Sequence, residues 1–355
     1  ALLASSFILK LGSGILALTS AAAAIALVRS GEPMTLLLVC LSGLGFVFQA
    51  AQVVDFDLQA HSDNRTSAIA QMSAFLLMTM VKVVLLIQQA PLMAFAIAGT
   101  VEIALGMSFL LAAFLWRGGR LDPRVASWSV AKRLLAHSWP LMLGGMAVSI
   151  YMRIDQVMLG VVLDNHAVGV YSAAVRLSEA WYFIPMSIST AVFPAIIALK
   201  KRDPDVYRRR MQQYFDAMSL LGISAALAIT FVGHQLVLAL FGTDYTAAGP
   251  LLVLHIWAGV FVSLGVASST WLAAEDLQFY SLTRTALGCL CNIAINLALI
   301  PSFGAIGAVT GTLIAYGVAV HSLLFFPRTR ECGLMLIKAL LPIRLLSLIK
   351  PRQAT

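Results

Sequence analysis

Residues 92–116 read LMAFAIAGTVEIALGMSFLLAAFLW and are followed by Arg117-Gly118-Gly119-Arg120. The stretch carries a single charged residue, Glu102, near its middle. A helix needs about 20 consecutive apolar residues to cross the hydrocarbon core of a bilayer. The stretch is therefore predicted to span a membrane, and the glycines and arginines that follow are predicted to end the span at an interface.

Comparable apolar runs fill the rest of the chain. Hydrophobic residues make up 60% of the sequence and charged residues 11%, with a mean hydropathy of +0.90. Soluble domains are about half apolar and about a quarter charged, so this composition excludes an ordinary soluble domain. The fold class expected is all-α, a polytopic transmembrane helix bundle. Between loop signals, ten spans are predicted near 6–28, 35–54, 67–87, 92–116, 138–162, 168–199, 213–241, 247–274, 279–300 and 304–327.

Basic residues occur in alternate gaps between these spans. The gaps after the second, fourth, sixth and tenth spans hold most of them, whereas the gaps after odd-numbered spans hold only Arg29. The positive-inside rule makes the basic gaps cytoplasmic. The net charge of +8 is thus read as a topology signal with attraction to anionic lipid. No nucleic-acid partner is expected, because the basic residues are scattered over separate loops.

The longest polar gap divides the chain. We expect an N-terminal lobe of four spans at 1–116, a basic cytoplasmic linker at 117–134, a C-terminal lobe of six spans at 135–328 and a basic amphipathic tail at 329–355. Two lobes of six helices, the first lacking its first two, would give this count. Because residue 1 is Ala, we expect a fragment or a processed chain.

Motifs for soluble catalysis are missing from the sequence. No Walker A, G-x-S-x-G or H-E-x-x-H motif is present in a suitable context, so a primary ATP-driven pump and these hydrolase classes are not indicated. Cys289 and Cys291 lie two apart within one span, a spacing that suits neither a disulfide nor a zinc site. The four cysteines are predicted to be buried small residues without a catalytic role.

Charged residues inside the spans point most directly to function. Arg153 and Asp155 in the fifth span, and Arg176 and Glu179 in the sixth, are predicted at similar depth in one helical hairpin. An Asp155–Arg176 ion pair across the hairpin is geometrically plausible. The four residues either form a neutral cluster that joins the two helices, or line a polar path for an ionic substrate or coupling ion.

Four further charged residues lie inside the predicted spans. Glu102 lies near mid-membrane with no basic neighbour in sequence, and is either protonated and packed or a proton or cation site. Arg284 lies about a turn and a half inside the ninth span, where it contacts phosphate or extends to the interface. Lys10 and Lys82 lie near span ends and are expected to extend to the interface.

The hairpin carries a family resemblance. Residues 154–160 (IDQVMLG), 168–177 (VGVYSAAVRL) and 191–195 (AVFPA) resemble the bacterial polysaccharide-biosynthesis flippases, the O-antigen-type lipid-linked oligosaccharide translocases. Residues 48–50 and 57–60 resemble an earlier loop of that family more loosely. The specific motif covers about fifty residues of the chain.

The resemblance implies the multidrug/oligosaccharidyl-lipid/polysaccharide exporter fold, with alternating access in the bacterial inner membrane. It implies a flippase, not an enzyme, that moves an undecaprenyl-pyrophosphate-linked oligosaccharide through a cation-lined cavity. Implied partners are that lipid, membrane lipids and polysaccharide polymerase machinery, with no cofactor beyond proton or sodium coupling. The resemblance assigns Arg153, Asp155, Tyr171 and Arg176 to the site, and the charge placement adds Glu179, Glu102 and Arg284.

Other functions remain open at this point. An ion-coupled exporter of drugs or organic cations, or a lipid II flippase, would share the fold. A membrane-embedded glycan polymerase or ligase would carry large external loops, whereas the odd-numbered gaps here are short. A structural membrane partner is the remaining alternative.

Overall fold

The computed structural model describes residues 2–28, 31, 33–61 and 63–341, and this part of the chain is helical without any β-strand. The predicted tail therefore falls partly, from residue 342 onward, outside the described residues, as does Arg29. The α-helices are α1 (Leu2–Val28), α2 (Pro33–Phe48), α3 (Val53–Ala60), α4 (Asn64–Ile87), α5 (Leu92–Trp116), α6 (Trp128–Val162), α7 (Asn165–Glu179), α8 (Phe183–Arg202), α9 (Pro204–Phe241), α10 (Ala248–His255), α11 (Ala258–Ala274), α12 (Gln278–His321) and α13 (Arg330–Ala339).

The predicted spans agree with the helices that are long and apolar enough to cross a membrane. Nine such stretches occur in the described part of the chain, and eight correspond one to one with predicted spans. The ninth, Gln278–Phe325, is 48 residues long and contains both of the last two predicted spans. The chain is a multi-pass helical membrane protein, as predicted.

The predicted sixth span, 168–199, corresponds to the membrane-spanning stretch Asn165–Arg202 but is not one continuous helix. The structure divides it into α7 and α8 with a turn at residues 180–182. Pro185 has no N–H to donate, and its ring collides with the carbonyl group four residues earlier in an uninterrupted helix. The proline therefore occupies the first turn of α8, where no such bond is needed.

A tight helical hairpin lies within α12. Gly304 has φ +58° and ψ −134°, a backbone conformation that a residue with a Cβ rarely adopts. The two arms return along each other so closely that a Cβ at Gly307 would lie 2.5 Å from the carbonyl oxygen of Leu299. The turn at Gly304 divides α12 into two arms, which correspond to the last two predicted spans, 279–300 and 304–327.

The chain divides into two compact units, residues 1–140 and 141–355, which we call unit 1 and unit 2. In unit 1, α5 packs against α2 and α4, and α1 packs against α2. The buried side chains of Val54, Leu110 and Phe114 lie at the centre of its largest apolar cluster. In the predicted linker 117–134, the structure begins a helix at Trp128.

Unit 2 is built around α10 and α11. The stretch Ala248–Ala274 is the most enclosed of the membrane-spanning stretches, with α7, α8, α9 and α12 packed against it. Small residues in α11, such as Gly259 and Ala267, allow these neighbours to approach closely. A largely buried apolar core therefore forms within this unit.

One end of unit 2 carries the basic gap after α8 and is called the basic end. Lys200 pairs with Glu275 at 3.0 Å, and Tyr207 donates a hydrogen bond of 2.7 Å to the same carboxylate. These contacts join α8, α9 and the α11–α12 connection at that end. The short helix α13 packs against α9 there, and burial raises the pKa of its Cys332 thiol to about 12, so the thiol stays protonated.

The hairpin predicts a stability effect at Gly307. Gly307→Ala should lower the free energy of unfolding by about 1–3 kcal/mol, because the added methyl group forces the two arms of α12 apart. Gly145→Ala is the matched control, since a Cβ at Gly145 meets no atom within 4 Å. Thermal unfolding in detergent measures both, and equal midpoints for the two variants would contradict this packing.

Candidate functional site

Asp155 lies at the centre of a buried polar cluster in unit 2. The side chain projects from α6 and is 3% exposed. Its carboxylate accepts hydrogen bonds from the Tyr171 hydroxyl at 2.8 Å, the Asn296 amide at 2.5 Å and the Thr312 hydroxyl. Because these donors come from α7 and from both arms of α12, the carboxylate links three helices.

The α12 hairpin sets the positions of two of these donors. Asn296 precedes the turn at Gly304 and Thr312 follows it, so folding back of the chain brings both side chains to the same depth. Gly311 leaves space for Asn296, because a Cβ there would overlap the amide oxygen of Asn296. The glycines of this segment therefore serve to assemble the Asp155 cluster.

The cluster has unused hydrogen-bonding capacity. Asn296 also donates to the Asn292 side-chain oxygen at 3.2 Å, and both asparagines are fully buried. The Asn292 amide nitrogen and the Asn296 amide oxygen have no partner in the described part of the chain. Buried polar groups usually find partners, so the Asn296 oxygen, an acceptor beside the Asp155 carboxylate, marks a place where a small cation can be accommodated, whereas the Asn292 nitrogen can only donate.

The chemistry of the donor set indicates which ion would fit. Carboxylate, hydroxyl and amide oxygens are ligands of hard cations. Among the described residues, no group of three or more His, Cys, Asp or Glu side chains could hold a metal ion, so a zinc-type site is not indicated there. Asp155, Thr312 and the two asparagines are the residues that could hold a proton or a sodium-like ion.

The ion pair across the α6–α7 hairpin differs from the predicted one. Arg153 pairs with Glu179 at 3.2 Å, whereas Asp155 takes neutral donors in place of Arg176. Arg176 is exposed and forms no ion pair within the described residues. The predicted Asp155–Arg176 pair is therefore wrong.

Helix geometry explains this difference. Tyr171 and Ser178 are seven residues apart, so they share the buried face of α7, and Tyr171 meets Asp155 there. Arg176 is five residues after Tyr171 and lies well off that face. On α6, Arg153 is two residues from Asp155 and points elsewhere, which leaves it half exposed at the edge where Glu179 can reach it.

Tyr171 is held in place from its other side as well. Its ring lies edge-on to the imidazole of His255, with centroids 6.3 Å apart. His255 is buried in α10 and shares a hydrogen bond of 2.8 Å with the Ser178 hydroxyl. The α7–α10 contact thus fixes the tyrosine that donates to Asp155.

Glu102 has a partner that the sequence did not reveal. Lys82 of α4 forms a salt bridge with Glu102 of α5. Glu102 has no basic neighbour in sequence, but it has one in space, and the prediction that Lys82 extends to the interface is wrong. The two residues are 20 positions apart in sequence and meet because α4 and α5 pack as an antiparallel pair.

Unit 1 contains a second polar group that the sequence did not single out. Asp55 in α3 is 7% exposed and accepts a hydrogen bond from Ser67, which in turn accepts one from Gln71 at 2.9 Å. Lys10 donates to the side-chain oxygen of Gln52 at 2.5 Å, so it turns into unit 1 and does not extend to the interface as predicted. The only sequence signal for this group was polar residues interrupting a long apolar run.

Arg284 lies inside unit 2, away from Asp155's hydrogen-bond partners. It is buried, and its guanidinium donates to the carbonyl oxygen of Gly265 at 2.8 Å, to Ser269 at 2.7 Å and to Ser268. The alternative in which Arg284 extends to the interface is excluded by these contacts. The seven predicted site residues thus occupy separate places: the Asp155–Tyr171 cluster, the Arg153–Glu179 pair, exposed Arg176, buried Arg284 and, in unit 1, Glu102.

Comparison with known protein families identifies the family of this chain. The model described as "Polysaccharide biosynthesis protein" matches residues 2–250, well over half of the sequence. The chain belongs to this polysaccharide biosynthesis family. The match contains the whole α6–α7 hairpin on which the resemblance was based, and the predicted family is confirmed.

Two curated relatives of this family member come from the archaeon Haloferax volcanii. The probable flippase AglR is 29% identical over 175 residues, which are 46% of this chain and 35% of that protein. A probable low-salt glycan biosynthesis flippase is 22% identical over 193 residues, which are 54% of this chain and 41% of that protein. The aligned parts therefore span less than half the length of these curated relatives.

Solved structures show the same fold at low sequence identity. The lipid II flippase MurJ in an inward closed conformation aligns with a TM-score of 0.72 and 13% identity, covering 99% of this chain and 78% of that one. An inward-facing multidrug resistance MATE transporter of the MOP superfamily aligns with a TM-score of 0.73 and 15% identity, covering 98% and 81%. At this identity the likeness concerns the fold alone.

The Lys82–Glu102 pair predicts energetic coupling. Lys82→Met should destabilise the protein, because it leaves the partly buried Glu102 carboxylate without its cation. Adding Glu102→Gln should restore part of that loss, with a coupling energy of about 0.5–3 kcal/mol. The coupling energy is measured by unfolding in detergent of the wild type, both single variants and the double variant. Additive effects of the two substitutions would refute the interaction.

Proposed function

We propose that this protein is a flippase for a lipid-linked oligosaccharide in polysaccharide biosynthesis. The observation that carries the proposal is the family match over residues 2–250, which contains the α6–α7 hairpin with Asp155 and Tyr171. The names of the two curated relatives as flippases support it. The proposed substrate is an undecaprenyl-pyrophosphate-linked oligosaccharide, moved by alternating access from the cytoplasmic to the outer leaflet.

The charged residues suit this task. A pyrophosphate group needs a polar route through the membrane, while the polyprenyl chain can remain in lipid. Arginine offers permanently charged, planar donors to phosphate oxygens. Arg153 and Arg176 are both exposed side chains on neighbouring helices of unit 2, so they are available to an anionic head group.

The Asp155 cluster supplies a place for ion coupling. We assign to it the binding of a proton or sodium ion, whose occupancy would alter the hydrogen bonds that join α6, α7 and α12. A carboxylate shared by three helices can bias two arrangements of a bundle, because its charge state changes how strongly each donor is held. Glu102, paired with Lys82, is a weaker candidate for this role.

The cellular setting follows from the same proposal. We place the protein in the bacterial inner membrane with its basic loops in the cytoplasm, although the curated relatives are archaeal. Its partners would be the lipid-linked oligosaccharide, membrane lipids and polysaccharide polymerase machinery. No catalytic role is proposed.

A strain that lacks the gene tests the flippase proposal. Lipid-linked oligosaccharide should accumulate on the cytoplasmic face, where it remains protected from glycosidase in intact spheroplasts, and the intact gene should restore its transfer. Normal transfer in the deletion strain, or efflux of cationic dyes from vesicles without lipid-linked sugar movement, would reject the proposal in favour of an exporter of the same fold.

The two exposed arginines predict a loss of transfer. The double variant Arg153→Gln/Arg176→Gln should reduce surface glycan by at least about tenfold, since charge-assisted hydrogen bonds contribute about 1.5–3 kcal/mol each. Arg208→Gln is the control, because Arg208 is an exposed arginine that pairs with Glu331 at 3.1 Å near α13. The measurement is the amount of surface polysaccharide at equal protein level. An undiminished glycan signal would remove both arginines from the substrate path.

The buried carboxylate predicts the coupling behaviour. Asp155→Asn keeps the size of the side chain but removes its charge, so gradient-driven transfer should fall by at least about tenfold and lose its dependence on the coupling ion. Asp244→Asn, at an exposed acidic residue after α9, should leave transfer unchanged. Transfer in vesicles with imposed proton or sodium gradients is the measurement; wild-type gradient dependence in the asparagine variant would contradict the assignment.

A further inference from the structure

Arg284 is a buried cation whose partners are all neutral. Its side chain projects from the first arm of α12 toward α11, and the residue is 8% exposed. The three groups that accept its hydrogen bonds are the Gly265 carbonyl oxygen and two serine hydroxyls. These bonds use three of the five N–H donors of a guanidinium group, so two donors remain for a ligand.

The described residues provide no countercharge for this arginine. Arg153–Glu179, Lys200–Glu275 and Arg208–Glu331 are ion pairs among the described residues of unit 2, and Arg284 belongs to none of these three. An unpaired charge in a low-dielectric environment costs several kcal/mol unless an opposite charge approaches it. Serine and carbonyl oxygens reduce this cost but do not neutralise the cation, which favours an anionic ligand.

A cavity lies next to the guanidinium. It has a volume of about 250 Å³ and is contained within unit 2. Its polar lining comes from Ser269, Ser281, Arg284 and Thr285, together with the tyrosines Tyr151 and Tyr316. Apolar side chains of α6, α11 and α12 form most of the remaining lining, so the positive charge and the hydroxyl groups make a polar patch in a largely apolar cavity.

Tyr151 supplies an independent sign of a missing partner. Its hydroxyl oxygen is buried and makes no hydrogen bond within the described residues. The tyrosine lines the same cavity and stacks at a tilt on Tyr316, with ring centroids 4.7 Å apart. A buried hydroxyl without a partner costs about 1–3 kcal/mol, so a ligand that accepts its hydrogen bond would be favoured.

From these observations we infer that Arg284 and Tyr151 form a subsite for the phosphate group of a polyprenyl-phosphate-linked substrate. The inference rests on the proposed flippase function and names the part of the substrate that binds here. A phosphate group accepts from guanidinium, seryl, threonyl and tyrosyl donors at once, whereas a neutral sugar would leave the charge of Arg284 unmatched.

The size and position of the cavity define what it can hold. Pockets that enclose whole small ligands measure about 300–1,000 Å³, so a cavity of about 250 Å³ admits the phosphate and its nearest atoms but not an oligosaccharide. Arg284 lies six residues, roughly 9 Å, from the start of α12 at Gln278. The preceding Glu275 pairs with Lys200, which places the subsite toward the basic end of unit 2.

Calorimetric titration of the purified full chain in detergent tests the subsite. Farnesyl phosphate is the probe, with farnesol, inorganic phosphate and phosphatidylglycerol as comparisons that separate the lipid chain, the free anion and a bulk phosphodiester. The wild type should bind farnesyl phosphate at least about tenfold more tightly than each comparison. Equal binding of farnesol, inorganic phosphate or phosphatidylglycerol would overturn the inference.

The variants separate ligand binding from a structural role. Arg284→Gln should weaken farnesyl phosphate binding by about tenfold or more, and Arg284→Lys by less. Tyr151→Phe should weaken it several-fold while keeping the fold, because the deleted hydroxyl has no partner in the protein. This variant decides the test if the Arg284 variants fail to fold. Arg208→Gln, whose arginine lies outside the cavity, should bind as the wild type does.

Two results would overturn the subsite. The first is unchanged affinity in the Tyr151 variant, and the second is unchanged affinity in a folded Arg284→Gln variant. If the wild type still transfers lipid-linked sugar in vesicles, only the subsite is lost. If the wild type transfers none, the flippase proposal fails as well.

Discussion

The hydrogen bonds to Asp155 are the interaction on which unit 2 depends. A carboxyl group in a membrane-spanning helix must find donors within the protein, because the hydrocarbon offers none. Tyr171, Asn296 and Thr312 provide them, and this requirement fixes the rotation of α6, the inward face of α7 and the register of the α12 hairpin. The surrounding apolar side chains pack in the arrangement that these bonds permit.

The polar residues of the chain differ in how completely they are satisfied. Glu102 with Lys82, and Glu275 with Lys200, are paired within their own units and can be explained as structural contacts. By contrast, the asparagines beside Asp155 and the hydroxyl of Tyr151 retain atoms without partners in the described chain. Such atoms also occur elsewhere in unit 2, as at Trp181, so the two candidate sites are marked by unmet hydrogen-bonding capacity together with a buried charge, that of Asp155 or of Arg284.

Sequence reasoning succeeded where one physical signal was strong and local. The length of apolar runs located every membrane-spanning stretch, and the hairpin motif identified the family, because both are readable within short windows. Because charge is costly inside a bilayer, charged residues within the spans are functional candidates. This rule selected Asp155 and Arg284. Helix ends were harder to predict, since apolar composition continues through them.

The partners of those charged residues could not be predicted in the same way. Asn296 and Thr312 are neutral, lie more than a hundred positions from Asp155 and carry no local motif. Lys82 and Glu102 were each recognised, but their pairing depends on how α4 and α5 are aligned. Contacts of this kind arise from tertiary packing, which a single sequence without related sequences does not specify.

The spacing of the Asp155 donors has a consequence for biogenesis. Tyr171 leaves the ribosome 16 residues after the aspartate, but Asn296 follows by 141 residues and Thr312 by 157. Until α12 has been synthesised, the acidic helix α6 therefore has at most one of these three hydrogen-bond donors. The Asp155 cluster can be completed only after the second arm of α12 has folded back against the first.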